Sequence, residues 1–160
     1  MTTEHPLAQI INVRMIHTNL YSSGQPTLAQ LVQIREAGFN NVINLALQDA
    51  SNALAHEDRW VLEQGMDYYH FPLLWEQPSV TQGLFILDAI HHLRDQPTWL
   101  HCALNYRGAC VIYLYERFYL GLDLPSAKER LEQVWQPDET WTGWMFAVEQ
   151  QLTAGTTVSI

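Results

Sequence analysis

The sequence predicts an α/β protein in which a central, mostly parallel sheet carries helices on both faces. Short β-rich segments alternate with longer segments of helical periodicity, an order that favours parallel strands joined by helical crossovers. The 160 residues, 48% of them hydrophobic, suffice for one domain spanning residues 1–160, with its core at about 10–152. No internal repeat, low-complexity tract or linker interrupts this order.

The first elements are predicted from periodicity and from the residues that bound them. Residues 20–23 alternate between apolar and polar side chains, as a short strand does, and the Gly-Gln-Pro sequence at 24–26 turns the chain. Thr27 is a typical N-cap of the helix that follows. Gly38 is predicted to end that helix, because glycine is common just past helix C-termini. Residues 41–47 are rich in Val, Ile and Leu, so we expect a buried strand there.

The middle of the chain repeats this alternation. A helix is predicted at 53–64, where a glycine follows, and a strand at 66–71, where a proline follows. Ser79 is a typical N-cap for a helix whose apolar residues recur every three or four positions as far as Leu93. Residues 98–101 then form a short apolar strand.

Helices fill the remainder of the predicted fold. They are expected at 108–120, 126–135 and about 140–152. The tail after Leu152, rich in Thr, Ala and Gly, is expected to be loosely held.

The charge of the chain restricts its partners. A net charge of −9, with a single lysine, argues against nucleic-acid or anionic-membrane partners, because both bind clustered positive charge. The sequence has neither a long apolar run nor a secretory leader at its start, so we expect a cytoplasmic location. Any anion must therefore be bound by a local arrangement of residues.

One segment combines the residue types that nucleophilic chemistry on an anion requires. Residues 101–107 read His-Cys-Ala-Leu-Asn-Tyr-Arg and join the last predicted strand to a helix. A helix N-terminus and a nearby cation favour the reactive thiolate form of cysteine, and the N–H groups of such a turn can surround an anion. Arg107 brings a planar guanidinium suited to two phosphate oxygens. Cys102 is therefore the predicted nucleophile and Arg107 the predicted anion-binding residue.

The other candidate site residues lie beside this pair. His101 is expected to position Cys102 by hydrogen bonding rather than to act as a base, and the second cysteine, Cys110, is expected to pack in the core as a free thiol. The histidine and the two cysteines lack metal-ligand spacing, so neither a metal nor a cofactor is predicted. The predicted substrate-binding residues are His101, Ala103, Leu104, Asn105, Tyr106, Gly108 and Trp75.

The loop and several other stretches resemble the bacterial phosphatase-like proteins related to dual-specificity protein tyrosine phosphatases. The likeness covers about residues 20–148. It is carried by Ser23–Thr27, Ala37–Phe39, Val42–Leu45, Phe71–Pro78, His101–Arg107 and the tail around Trp135. This resemblance implies a cysteine-phosphatase-like fold and a reaction in which the cysteine accepts the phosphoryl group while the arginine holds its oxygens.

The loop departs from the mainstream family pattern in two ways. That pattern is His-Cys-x5-Arg followed by Ser or Thr, whereas four residues separate Cys102 from Arg107 here, and Gly108 replaces the hydroxyl residue. A shorter loop offers fewer converging N–H groups. The missing hydroxyl removes a group that helps the thiolate leave the phosphocysteine. In its short loop the chain is similar to a bacterial subgroup with the His-Cys-Ala-x-Asn-x-Arg form, the His-Cys-x4-Arg spacing.

The resemblance also points to a proton donor for the leaving group. The larger family places an Asp on the loop after a strand that ends in proline. Glu76 holds the corresponding place after Phe71 and Pro72 and is the predicted acid; the alternative is that it is a solvated loop residue or a helix-capping charge. Trp75 and Tyr106 are expected to wall the pocket.

Three functions remain open from the sequence. The leading one is hydrolysis of a phosphomonoester, on a phosphorylated small molecule or a phosphoprotein, through a phosphocysteine intermediate. The second is a non-catalytic pseudophosphatase that binds an anion or a phosphorylated partner. The third is rhodanese-like sulfur transfer, for which a loop of four residues after the cysteine is the usual size. The sequence indicates neither the substrate nor an oligomeric state.

Overall fold

The computed structural model describes residues 5–157, with side chains described for residues 5–155. A short 3-10 helix at Pro6–Gln9 precedes the other elements. The five strands are β1 (Arg14–His17), β2 (Leu20–Ser23), β3 (Asn41–Asn44), β4 (Asp67–His70) and β5 (Thr98–His101). The six α-helices are α1 (Leu28–Glu36), α2 (Glu57–Glu63), α3 (Val80–His92), α4 (Tyr106–Phe118), α5 (Leu124–Glu132) and α6 (Glu139–Thr157).

The strands form one sheet in the order β1-β2-β5-β3-β4. β1 pairs antiparallel to β2, and the other neighbours are parallel. Helices pack on both faces of this sheet. The structure thus confirms the predicted α/β fold with a mostly parallel sheet.

Two apolar cores cover the two faces, because successive residues of the central strands point to opposite sides. Val42 of β3 and Trp99 of β5 lie side by side and pack with α1 and α2. The next pair, Ile43 and Leu100, packs on the other face with α3, α4 and α6. This explains why each of these strands carries two consecutive apolar residues at its centre.

The register brings the last residues of four parallel strands to one edge. Ser23, His101, Asn44 and His70 lie next to one another there. The chain that leaves this edge from β5 is the 101–107 segment, so the fold places Cys102 where parallel sheets bind ligands.

Strands β2 and β5 have the predicted bounds, whereas β3 and α2 are shorter than predicted. β3 ends at Asn44, whose side-chain Oδ1 accepts the Ala46 N–H at 2.8 Å and turns the chain. α2 begins at Glu57 rather than near residue 53, because His56 has the left-handed φ of 59° and interrupts the helix. β4 likewise covers 67–70 within the predicted 66–71.

The remaining differences lie at the two ends of the chain and at the helix bounds. β1 was not predicted; it is an edge strand with a bulge and partly exposed residues, so it lacks a clear alternation. α4 and α5 each begin two residues earlier than predicted. The prediction of a loosely held tail after Leu152 was wrong as far as the structure describes it, because α6 continues to Thr157.

No helix within residues 5–157 is both long enough and apolar enough to cross a bilayer.

Candidate active site

A small cleft opens beside the loop that follows β5. Its volume is about 250 Å³. Six residues line it: Trp75, Cys102, Ala103, Leu104, Tyr106 and Arg107. Cys102 and Arg107 are only 1% and 7% exposed, so both lie at the bottom of the cleft rather than on the surface.

Hydrogen bonds hold the loop backbone with its carbonyl groups turned away from the cleft. The Ala103 carbonyl accepts from the Gln25 N–H at 3.0 Å and from Asn52 Nδ2 at 2.9 Å. The Leu104 carbonyl accepts from Asn12 Nδ2 at 2.9 Å. Gly24 permits this close packing, since a Cβ there would lie 2.7 Å from the Ala103 oxygen.

The N–H groups of the loop are left available. In a trans peptide the N–H points opposite to the C=O, so the outward carbonyls of Ala103 and Leu104 direct the next two N–H groups toward the cleft. None of the described residues accepts a hydrogen bond from the backbone N–H groups of residues 103–108. The 13-residue helix α4 begins there, and its N-terminus adds positive potential. This arrangement can bind an oxyanion beside Cys102.

Arg107 is held in place by the loop that follows β4. Its Nη1 donates to the Leu73 carbonyl at 2.9 Å, and its guanidinium carbon lies 5.9 Å from the centre of the Trp75 ring. A guanidinium has five N–H donors, so this contact leaves others for a ligand. The position of Arg107 is therefore fixed before any ligand arrives.

Aromatic side chains form the wall of the cleft. The Tyr106 ring stacks on Trp135 at 4.9 Å, and the Trp75 ring lies 5.4 Å from Trp135 and 5.6 Å from Trp141. Trp141 also donates its Nε1–H to the Trp75 carbonyl at 3.1 Å. Trp135, between α5 and α6, and Trp141 of α6 thus support the residues that line the cleft.

Asn105 explains why the position after the arginine is a glycine. Asn105 is fully buried, has a left-handed φ of 70°, and donates through Nδ2 to the Asn12 carbonyl at 2.8 Å and to Ser22 Oγ at 3.2 Å. A Cβ at Gly108 would overlap Asn105 Oδ1. The Asn105 side chain therefore occupies the space that a hydroxyl residue would need.

We expect Gly108→Ala to destabilise the protein by about 1–3 kcal/mol, because Asn105 is tethered and cannot move aside without distorting the loop. The matched control is Gly143→Ala in α6, where an added Cβ meets nothing within 4 Å. That change should raise stability by about 0.5–1 kcal/mol. Urea unfolding of both variants measures the difference; equal stabilisation of both would contradict the packing described here.

A buried polar network behind the loop was not predicted. His101 is fully buried; its Nε2 lies 2.6 Å from Glu57 Oε2, and its Nδ1 lies 3.1 Å from the Cys102 carbonyl oxygen. Glu57 is 5% exposed and also accepts from Gln25 Nε2 at 2.6 Å. Glu57 lies in the first turn of α2, where an acidic residue is common, so no sequence pattern singles it out.

The environment of Glu57 keeps its carboxyl ionised. Burial raises the pKa of Glu57, but the positive charge and hydrogen bond of His101, with the hydrogen bond from Gln25, outweigh burial and leave the pKa below its usual range. The folded state therefore gains stability from Glu57 above the ordinary carboxyl pKa of 4.5 and loses it as the pH falls below that value. Burial and the charge of Glu57 strongly raise the pKa of Tyr68, which stays a protonated hydroxyl.

A second cavity lies on the other side of this network. Its volume is about 650 Å³. Polar and ionisable residues dominate its wall: Gln25, Asn44, Gln48, His56, Glu57, Asp58, Tyr68 and His70. Within the described residues, no group of three or more His, Cys, Asp or Glu is arranged to hold a metal ion. Glu57 lines this cavity and His101 connects it to Cys102 and the cleft.

The structure brings together only some of the predicted site residues. The side chains of His101 and Asn105 are buried behind the loop and, with Gly108, do not line the cleft. Glu76 is exposed on the loop next to Trp75 and is not among the lining residues either. Cys110 is a buried free thiol whose pKa is strongly raised by burial.

Comparisons with known proteins give structural matches only. Neither a protein-family model nor a curated protein matches this sequence. A candidate phosphatase of the DUF442 group from Shewanella putrefaciens CN-32 has a similar structure, with a TM-score of 0.82 and 26% identity over 94% of this chain and 99% of its own.

Two other solved structures are similar in fold. TpbA of P. aeruginosa has a TM-score of 0.72 and 18% identity over 90% of each chain, and one TpbA structure contains phosphotyrosine. The catalytic domain of SIW14, a PP-IP phosphatase of S. cerevisiae solved with citrate, has a TM-score of 0.72 and 11% identity over 93% of this chain and 95% of its own. These neighbours confirm the family-level resemblance, and the short-loop subgroup stays a prediction. The fold of this chain is therefore cysteine-phosphatase-like.

Proposed function

We propose that this protein hydrolyses phosphomonoesters through a phosphocysteine at Cys102. The observation that carries the proposal is the cleft itself: a cysteine at its bottom, unpartnered loop N–H groups around it, and a fixed guanidinium beside it. The phosphotyrosine bound to TpbA and the citrate bound to SIW14 are anionic ligands of proteins with this fold, which supports a phosphorylated ligand here.

The proposed reaction has two steps. The Cys102 thiolate attacks phosphorus, the bond to the leaving oxygen breaks, and Glu76 gives that oxygen a proton. Water then attacks the phosphocysteine, gives its proton to the Glu76 carboxylate, and releases phosphate and the thiolate. Arg107 and the loop N–H groups stabilise the charge that develops on the equatorial oxygens.

The aromatic and apolar wall of the cleft favours an aryl phosphate as the first substrate to test. Trp75, Tyr106 and Leu104 offer ring faces and an aliphatic surface, which match an aromatic leaving group better than a sugar. A phosphorylated small molecule and a phosphoprotein both remain candidate substrates.

The role of Glu76 is tested by substrates with different leaving groups. An alkyl phosphate needs a proton at its leaving oxygen, whereas a nitrophenyl phosphate does not. Glu76→Gln should therefore lower kcat/KM, which reports on the first step, by about 10²-fold or more for the alkyl substrate and far less for the nitrophenyl substrate. Glu36→Gln, an exposed carboxylate in α1 on the other face of the sheet, is the control. Equal, small effects on both substrates would show that Glu76 is not the acid.

The second candidate function is that of a pseudophosphatase, because Glu76 is exposed and does not line the cleft. If Glu76 does not reach the leaving group, the cleft can bind a phosphorylated ligand without turnover. Phosphate binding by calorimetry, with no phosphate release from a panel of aryl and alkyl phosphates, would favour this alternative. Thiosulfate-dependent thiocyanate formation in the same panel would instead favour sulfur transfer.

A further inference from the structure

The His101 ring has two hydrogen-bond contacts. Both ring nitrogens face acceptors: Nδ1 faces the Cys102 carbonyl oxygen at 3.1 Å and Nε2 faces Glu57 Oε2 at 2.6 Å. A neutral imidazole carries one N–H and can donate to only one of them, whereas the imidazolium donates to both. Because His101 is fully buried, water cannot satisfy an acceptor that the ring leaves unpaired.

Glu57 provides the compensating negative charge. Its carboxylate accepts hydrogen bonds from His101 Nε2 and Gln25 Nε2, both at 2.6 Å, and also interacts with the Tyr68 hydroxyl. An unpaired buried charge is costly, but a paired and hydrogen-bonded one is tolerated. Glu57 and His101 therefore form a buried ion pair in which each charge compensates the other.

Most of the other titratable groups around this pair lie on the side of the second cavity, and the positive charge of His70 adds to that of His101 in lowering the pKa of Glu57. His70 and Tyr68 of β4 lie on the side of the second cavity, where His70 Nε2 contacts the Ala46 carbonyl at 2.6 Å and the Tyr68 hydroxyl accepts from Asn44 Nδ2 at 3.0 Å. Asp58 follows Glu57 in α2, and its negative charge helps to raise the pKa of the Tyr68 hydroxyl. On the side of the cleft, Cys102 is the adjacent titratable residue.

We propose that Glu57 is a positioning residue that keeps His101 positively charged directly behind Cys102. The imidazolium holds the Cys102 carbonyl, fixing the start of the loop, and its positive charge favours the thiolate. Glu57 thus acts on Cys102 from outside the cleft, without touching the substrate. This inference rests on the proposed role of Cys102 as the nucleophile.

The charge of His101 can be measured in the unaltered protein. The ¹⁵N chemical shifts of the histidine rings distinguish an imidazolium from either neutral tautomer, and His101→Gln identifies the signal of this residue. We expect His101 to be an imidazolium at neutral pH. A neutral ring at that pH would overturn the proposal, whatever the behaviour of any variant.

The effect on Cys102 is tested with Glu57→Gln, which keeps a hydrogen-bond acceptor for His101 and removes the charge. We expect alkylation of Cys102 by iodoacetamide at mildly acidic pH to be about 10-fold slower than in the parent protein, with the difference vanishing at high pH where every thiol ionises. The matched control is Asp58→Asn, the neighbouring carboxylate, which should alkylate at the parent rate. If Glu57 had only a structural role, its substitution would not slow the alkylation of Cys102 at low pH alone.

The outcomes separate this inference from the proposed function. If the parent Cys102 alkylates readily and Glu57→Gln reacts at the same rate across pH, Glu57 is not a positioning residue and the phosphatase proposal stands. If the parent Cys102 does not react at any pH while His101 is an imidazolium, the nucleophile proposal fails and the ion pair is structural only.

Discussion

Replacing Cys102 with serine should abolish turnover of aryl phosphates while leaving the fold intact. Serine has nearly the shape of cysteine, but its hydroxyl does not ionise under the conditions that give a thiolate, so no phosphorylated enzyme forms. We expect kcat to fall on the order of 10⁴-fold or more. Phosphate release from nitrophenyl phosphate measures turnover, and urea unfolding measures stability.

The second cysteine provides the control for this result. Cys110 is buried in α4 and does not line the cleft. Cys110→Ala should therefore retain turnover, with at most a loss of stability from the smaller side chain. Retained activity in Cys102→Ser would refute a covalent mechanism at this residue.

Arg107→Lys should reduce kcat/KM by about 10²–10³-fold. Lysine keeps the positive charge but cannot donate in the planar, two-pronged geometry that matches two phosphoryl oxygens, nor can it reproduce the stacking beside Trp75. Since the charge is retained, a large loss would indicate that the geometry of the guanidinium matters and not charge alone.

The control for Arg107→Lys lies in the same helix. Arg117 lies in the last turn of α4, where its Nη2 is 3.8 Å from Glu149 Oε1, and it does not line the cleft. Arg117→Lys should leave steady-state kinetics unchanged. If the two variants have equal kinetics, Arg107 does not hold the phosphoryl group.

Local sequence patterns were sufficient to predict most of the fold. Residues 98–101 follow Pro97 and carry Trp99 and Leu100 to the two cores, and the strand and its bounds were predicted correctly. Thr27 and Ser79 cap their helices as predicted, each accepting an N–H three residues on. β1 could not be predicted because an exposed edge strand has no fixed alternation, and its pairing depends on a neighbour.

The site was predicted where its residues are contiguous and missed where they meet through the fold. Cys102 and Arg107 lie in one loop, so their spacing indicated a shared role. Glu57 lies 44 residues from His101 in sequence, and an acidic residue in the first turn of a helix is ordinary. Their contact follows from where α2 begins, which depends on the left-handed conformation of His56 and is not encoded in a local pattern.

The most direct test of the central claim is alkylation of Cys102 by iodoacetamide, followed by mass spectrometry, with and without vanadate. If the 101–107 loop is an oxyanion-binding active site, Cys102 should be alkylated faster than Cys110 at neutral pH, and vanadate should protect it, because the oxyanion binds to the N–H groups and guanidinium beside the thiolate. Slow alkylation that vanadate does not change would contradict the account, since Cys102 would then be an inert buried thiol.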